Sequence, residues 1–150
     1  MTGELAVRHL RTDDREAWQP LWDQYLSFYR AELAPGTSDS TFARLCEPEG
    51  DLLGLIAVDP DGTALGLAHL IFHSSTWSQA PYCYLEDLFV DRGSRGSGTA
   101  SRLIDAVYAS ARERGAGRVY WMTQQFNGPA RSLYDTVAHL TSYVVYERDL

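Results

Sequence analysis

Residues 84–104, Tyr-Leu-Glu-Asp-Leu-Phe-Val-Asp-Arg-Gly-Ser-Arg-Gly-Ser-Gly-Thr-Ala-Ser-Arg-Leu-Ile, constrain this chain more than any other stretch. A β-prone run, Tyr82 to Val90, is broken by the acids Glu86 and Asp87. The loop that follows, Asp91 to Gly98, holds three glycines and two arginines. Apolar residues then recur at Ala100, Leu103, Ile104, Val107 and Ala111, the spacing of one helical face. A strand, a Gly-rich turn and a helix start make an anion cradle. The first N–H groups of a helix have no partner within it, and the helix dipole adds partial positive charge. Glycine lets the backbone approach a phosphate with no Cβ in the way. The stretch is therefore expected to bind a pyrophosphate. The plain alternative, a surface turn, sits poorly with a helix face that begins directly after the loop.

Spacing separates the possible phosphate ligands. A Walker loop needs Gly, four residues, then Gly-Lys-Ser/Thr. Gly93 and Gly98 have that spacing, but Thr99 stands in the lysine position. A dinucleotide fold needs G-x-G-x-x-G and an acid about 20 residues further on. Gly96 and Gly98 match, but Ser101 replaces the third glycine, and the next strand pattern, Arg118 to Thr123, ends without an acid.

A third pattern fits throughout. Arg95-Gly96-Ser97-Gly98-Thr99-Ala100 matches Arg/Gln-x-x-Gly-x-Gly/Ala, and so resembles the coenzyme A loop of the GNAT superfamily of N-acetyltransferases. Tyr84-Leu85-Glu86-Asp87-Leu88-Phe89-Val90 resembles that superfamily's central strand, most closely in its polyamine branch. Asn127-Gly128-Pro129-Ala130-Arg131-Ser132-Leu133-Tyr134 resembles its Asn-x-x-Ala-x-x-Leu-Tyr segment. Thr76-Trp77-Ser78, Val119-Tyr120-Trp121 and Leu133-Tyr134-Asp135 are similar to a yeast subgroup that acetylates histone tails and D-amino acids. The resemblance implies an α/β fold, one GNAT-type domain over residues 1–150. Its sheet would be mixed and mostly antiparallel, flanked by helices, with a central parallel strand pair splayed at the CoA site. It also implies acetyl-CoA as cosubstrate.

Length and composition agree with a single domain. The chain has 150 residues, and 45% of them are apolar, enough to build a sizeable core. No apolar run reaches the ~20 residues that span a bilayer. The start, Met-Thr-Gly-Glu-Leu-Ala-Val-Arg, lacks the basic-then-apolar shape of a signal peptide. Cys46 and Cys83 make no disulfide framework, so a reduced, cytoplasmic setting is expected. The four histidines have no partners at metal-ligand spacing, and no metal is expected. The net charge of −7 disfavours nucleic acid and anionic membrane and suits a cationic acceptor such as an amine; solubility alone is the plainer reading.

Read in order, the chain opens with a strand, Leu5 to Leu10. A helix capped by Asp13 or Asp14 continues to about Leu33. Its aromatic stripe is wider than one face needs: Trp18, Leu21, Trp22, Tyr25 and Tyr29 form a core side, and Phe28 is left over. In the resembled family this helix walls the acceptor site, so Trp22, Tyr25 and Tyr29 are candidate acceptor contacts as well as candidate core. A loop, 34–40, leads to a short helix over Ser40 to Leu45. An antiparallel pair follows, 51–58 and 64–72, around the turn Asp59-Pro60-Asp61-Gly62. A second loop, His73 to Pro81, carries Trp77. The helix after the glycine loop ends near Gly115 and returns to a strand, Arg118 to Thr123, a βαβ unit with parallel strands and a right-handed crossover. Asn127 caps the next helix, with Pro129 in its first turn, to about Ala138. Thr141 to Arg148 alternates as a last strand. The family's usual Gly-Phe is missing before it; Ala138-His139-Leu140-Thr141-Ser142 stands there instead. Tyr143-Val144-Val145-Tyr146 could pair with another subunit, so a homodimer is expected.

Acetyl transfer needs a neutral amine nitrogen. An alkylammonium titrates near ~10.4, so neutrality at pH 7 costs roughly 4–5 kcal/mol and calls for a base. Glu86 is the candidate, placed where loss of water raises a carboxylate toward the working range. By strand alternation Asp87 faces the other way, either holding an acceptor cation or satisfying a buried donor. The resemblance assigns the base to Glu86 and the acid that protonates the leaving thiolate to Tyr134. A pantetheine arm would pair with Leu88, Phe89 and Val90 as an added strand, once the parallel strands part after about Leu88. A backbone N–H there, from Leu88, would hold the thioester oxygen. Asn127 and Ala130 belong to the same carrier site by their motif. Cys83 lies deep in an apolar strand and is read as core, not as a nucleophile. The expected function is transfer of acetyl from acetyl-CoA to a primary amine of a small molecule or peptide. A silent acyl-CoA-binding sensor and a nucleotide-dependent phosphotransferase are the rivals. Polyamine, amino acid, aminoglycoside and peptide acceptors all stay open.

Overall fold

The computed structural model describes residues 4–150. Five strands form one sheet in the order β1-β2-β3-β4-β5: Ala6–His9, Leu52–Val58, Ala64–Ser75, Ser78–Val90 and Arg118–Tyr120. The first four pair antiparallel, and β4 and β5 run parallel. Helices α1 (Arg15–Phe28) and α2 (Thr37–Leu45) precede β2; α3 (Thr99–Glu113) joins β4 to β5, and α4 (Gly128–Val137) follows β5. The expected α/β fold with a mixed, mostly antiparallel sheet is thus observed.

Strand β2, Leu-Leu-Gly-Leu-Ile-Ala-Val, is apolar at nearly every position because both faces are covered. Leu53, Leu55 and Ala57 meet Ala68, Leu70 and Phe72 of β3 and Cys83 and Leu85 of β4 beneath Leu103, Val107 and Ala111 of α3. Ile56, Leu67 and Phe89 face the opposite way, against Trp18, Leu21 and Trp22 of α1 and Phe42 and Leu45 of α2. Gly66 lets α3 close on the sheet: a Cβ there would lie 2.9 Å from both Leu103 Cδ1 and the Phe89 carbonyl oxygen. Cys83 is fully buried on the α3 side, and burial pushes its thiol up to about 12, far from a working nucleophile.

Several elements depart from their sequence-based limits. Helix α2 begins at Thr37 instead of Ser40, and α1 ends at Phe28. The expected loop 73–81 is a hairpin, with β3 running to Ser75 and β4 starting at Ser78. Its serines and Pro81 read as loop, but they sit in a ladder whose register shifts between His73 and Ser75. Trp77 stands at the hairpin tip, 83% exposed, neither plugging the core nor lining the cleft described below. The alternating segment 141–148 forms no strand; its residues are exposed and lie along no neighbouring strand. Alternation alone does not make a strand when neither face finds a surface to cover.

Asp14 does not cap α1 through its side chain. Its carboxylate accepts the Arg11 N–H at 2.7 Å and both guanidinium nitrogens of Arg8, at 2.8 and 2.9 Å. That two-pronged Arg8 bond, more than any other contact, holds the carboxyl below its ordinary range. Because the folded value is lowered, the stabilisation is present at neutral pH and fades as pH falls through the carboxylate range. Asp14→Asn is expected to cost about 2 kcal/mol in urea unfolding at pH 7. The gap to the parent chain should narrow steadily below about pH 4.

Candidate active site

The site exists because β4 and β5 separate. They pair at Tyr82 with Arg118, Cys83 with Val119 and Tyr84 with Tyr120, and pairing stops there. The strands part after Tyr84, four residues earlier than the expected point near Leu88. Strand β5 ends at Tyr120, so Trp121, Met122 and Thr123 peel away from Leu85 to Val90. A cleft of about 310 Å³ fills the wedge. That volume lies at the small end of ligand cavities, suited to the reacting end of a long carrier.

Of the expected site residues, Tyr25, Tyr29, Glu86, Leu88, Phe89, Val90, Arg95, Ala100, Asn127, Ala130 and Tyr134 all line this cleft. Phe28, Leu85, Trp121, Met122, Thr123, Pro129 and Leu133 line it as well. Phe28 had a signal, since it was the aromatic left over from the core stripe of α1. The 121–123 segment had none: its apolar residues read as continued strand.

Two expected acceptor contacts lie off the wall. Trp22 is 6% exposed, stacked between Trp18 and Tyr25, with its indole N–H donating to Ser38 Oγ at 3.0 Å. Asp87 sits just behind Glu86, and its orientation departs from strand alternation. The β3–β4 ladder pairs His69 with Asp87 but Leu70 with Leu85, so Glu86 is an extra residue in β4. This bulge turns Asp87 to the α1 side, the side Glu86 also faces, instead of the opposite face. There Asp87 Oδ2 lies 2.8 Å from His69 Nδ1, and His69 Nε2 lies 3.0 Å from the Trp18 indole nitrogen. The Tyr25 phenol is pushed far above its ordinary value, first by burial and then by the neighbouring Asp87 carboxylate.

Glu86 opens to the cleft, yet the surrounding protein strips away enough water to push its carboxyl up, and the charge of Asp87 adds to that shift. Across the wedge, burial is the main cause that raises the Tyr134 phenol, with a smaller contribution from Tyr29. Trp121 and the Tyr134 ring pack edge to face, with centroids 5.4 Å apart, which fixes the phenol's place. Asn127 precedes α4 but makes no side-chain cap; its carbonyl takes the Arg131 N–H, while its side-chain amide reaches Thr123 Oγ1 at 3.5 Å.

The glycine loop lies at the far end of the cleft. Gly96 and Gly98 hold φ of +84° and +83°, a region that side-chain-bearing residues rarely occupy. Among the described residues, the N–H groups of Gly96 to Ser101 have no acceptor. The Ser97 and Thr99 hydroxyls meet at 2.9 Å and brace the turn, and Thr99 is buried at the start of α3. Arg95 lies over the Phe89 ring, 5.6 Å from its centroid, and adds positive charge beside the amides. Gln24 of α1 donates to Asp91 Oδ1 at 3.1 Å, anchoring the loop's start. Unpaired amides, a helix N-terminus and an arginine fit the diphosphate of a carrier such as coenzyme A. No group of histidines, cysteines and carboxylates among the described residues forms a metal-binding cluster.

Comparison with known proteins points the same way. A model of the acetyltransferase (GNAT) family matches residues 6–138. A D-amino-acid N-acetyltransferase of Saccharomyces cerevisiae is 36% identical over 150 residues, covering 99% of this chain and 93% of the yeast protein. An uncharacterized N-acetyltransferase of Bacillus subtilis is 33% identical over 87% of each chain. Among solved structures, the aminoglycoside enzyme AAC(6')-Iy, in complex with a bisubstrate analogue, superposes with a TM-score of 0.85 at 21% identity, covering 99% of both chains. A ribosomal-protein-alanine N-acetyltransferase from Brucella melitensis biovar Abortus 2308 gives a TM-score of 0.81 at 19% identity, covering 98% of this chain and all of that one.

Proposed function

Because the chain belongs to the GNAT family and is an acetyl-CoA-dependent acetyltransferase, we propose that its acceptor is a primary amine on a small molecule or peptide, with Glu86 as base and Tyr134 as acid. The observation that carries this reading is the wedge itself. It brings Glu86 and Tyr134 to one cleft, whose far end is the amide cradle at the start of α3. Acetyl-CoA supplies the acetyl group as an activated thioester. The amides of Gly96 to Ser101 and the Arg95 guanidinium bind its diphosphate, and the free edge of Leu88 to Val90 takes its polyamide arm. Glu86 draws the proton from the acceptor ammonium, directly or through a water, leaving a nitrogen lone pair for the new C–N bond. As the C–S bond breaks, the Tyr134 hydroxyl gives its proton to sulfur; the new amide nitrogen sheds its surplus proton to solvent, and the tyrosinate regains one from solvent.

The yeast relative acts on D-amino acids, which makes them the first acceptors to test. Thiol release from acetyl-CoA should be followed across D- and L-amino acids, polyamines, aminoglycosides and a lysine peptide. Turnover with at least one primary amine is expected, and silence across the whole panel would refute the reading. Cys46 and Cys83 are both free thiols, which suits a reducing, cytoplasmic setting; no helix among the described residues is long and apolar enough to cross a membrane.

The same reading includes a homodimer. Leu140, Tyr143, Val144, Val145 and Tyr146 stand 65–94% exposed, and no residue of the amphipathic helix α4 is buried. Strand β5 is an open sheet edge. A second copy laying its segment 141–148 along that edge would cover both. Light scattering should give twice the 16.8 kDa chain mass, and a chain ending at Ala138 should run as a monomer. A full-length monomer at about 100 μM would overturn the dimer and leave the chemistry untouched.

A further inference from the structure

Four side chains from three elements form a polar array, buried at Trp18 and His69 and half-buried at Asp87 and Tyr25, that the reaction above does not use. Trp18 of α1 is fully buried and His69 of β3 is 3% exposed, and they meet through the indole nitrogen and Nε2. On its other side His69 meets Asp87 of β4 through Nδ1, and Tyr25 of α1 adjoins the same carboxylate. The proton's place follows from donor chemistry. An indole nitrogen has a hydrogen to give and no lone pair to receive one, so Nε2 of His69 must be the acceptor. The ring is then neutral, and its one N–H is on Nδ1, aimed at Asp87. A second proton on His69 would have to evict the Trp18 bond inside a packed core.

We propose that His69 is a positioning residue: fixed by Trp18 in its neutral Nδ1–H form, it holds Asp87 as an uncompensated anion directly behind Glu86. The inference rests on Glu86 being the base. The β4 bulge is what makes it work, since it places both carboxylates on one side of the strand. An anion beside Glu86 on the same side of the strand makes it hold its proton more tightly, hence makes it a stronger base for an ammonium. A cationic histidine would oppose the effect, because it would pull Glu86 down. The groups facing Glu86 are few: Asp87 on its own strand, His69 on β3, Arg44 on α2, and the Tyr25 and Tyr84 phenols. Arg44 opposes Asp87, and the two tyrosines, both raised, carry no charge near neutrality.

The test has a spectroscopic part and a kinetic part. In 15N-histidine-labelled protein at pH 7.5, the His69 ring should show hydrogen on Nδ1 and none on Nε2. A proton on Nε2 would overturn the proposal without any variant. Kinetically, the acid limb of kcat/KM for an accepted amine should move down by about one pH unit in Asp87→Asn. In His69→Asn the side-chain amide can replace the Nδ1–H, and the limb should stay within about 0.3 unit of the parent. An unmoved limb in Asp87→Asn, with normal folding by circular dichroism, would remove the assigned role while leaving acetyl transfer intact. If no amine in the panel is acetylated, the function reading fails instead, and the nitrogen spectra still decide the state of the ring.

Discussion

Glu86→Gln is expected to lower kcat by about 10²–10³-fold and leave the affinity for CoA within about twofold of the parent. The size follows from the proton. An acceptor ammonium near ~10.4 must lose its charge at neutral pH, and a carboxamide of the same shape cannot take that proton. The selectivity follows from the geometry: Glu86 lines the wedge, whereas the unpaired amides proposed to take the diphosphate begin ten residues later, at Gly96. Steady-state thiol release gives the first number, and calorimetric titration with CoA gives the second. Burial and Asp87 both raise the Glu86 carboxyl, so the parent's acid limb should lie above the ordinary glutamate range. In Glu86→Gln that limb should vanish, because the titrating group is gone. A Gln variant at parental rate would move the base to another group or to bulk water. A matching loss of CoA affinity would make Glu86 a structural member of the cradle. A silent acyl-CoA-binding sensor has no rate to lose, so measurable turnover in the parent removes that rival at once.

The parts of the site that were legible in the sequence are those written in local chemistry. Glycine at 96 and 98 is needed for a left-handed turn, and the apolar face from Ala100 announces the helix whose amides make the cradle. Glu86 and Tyr134 stand in motifs that carry their own spacing. The rest depends on how strands meet, which a period-two pattern does not encode. An extra residue at Glu86 leaves the composition of β4 unchanged but turns Asp87 to the other face, where His69 waits. Trp121 to Thr123 are as strand-like as Arg118 to Tyr120, yet pairing ends at Tyr120 and the difference opens the cleft. At the C-terminal end, 141–148 alternates as well as any strand and pairs with nothing in its own sheet. An uncovered face of this kind is the only trace that a chain's own sequence carries of a surface it does not cover itself.

Tyr134→Phe should cost about 10–100-fold in kcat, with the fold intact. The ring's support is apolar: the Trp121 edge contact and the packing of α4 over the wedge need no hydroxyl. The lost group is therefore the proposed proton donor alone, and the thermal midpoint should shift by less than about 2 °C. A donor helps in proportion to how poor the leaving group is. A thiolate near ~8.5 departs unaided at a finite rate, so the loss is smaller than at Glu86. Burial raises the Tyr134 phenol above its ordinary value of 10.0, so the parent should keep this donor charged with its proton through pH 10. The parent's profile should accordingly show no falling alkaline limb from this group below that point. Replacing acetyl-CoA by an acetyl thioester of a more acidic thiol should shrink the gap between Tyr134→Phe and the parent, since a better leaving group asks less of a proton donor. A gap that stays the same with both thioesters would mean that Tyr134 positions the carrier and the sulfur leaves as the bare thiolate.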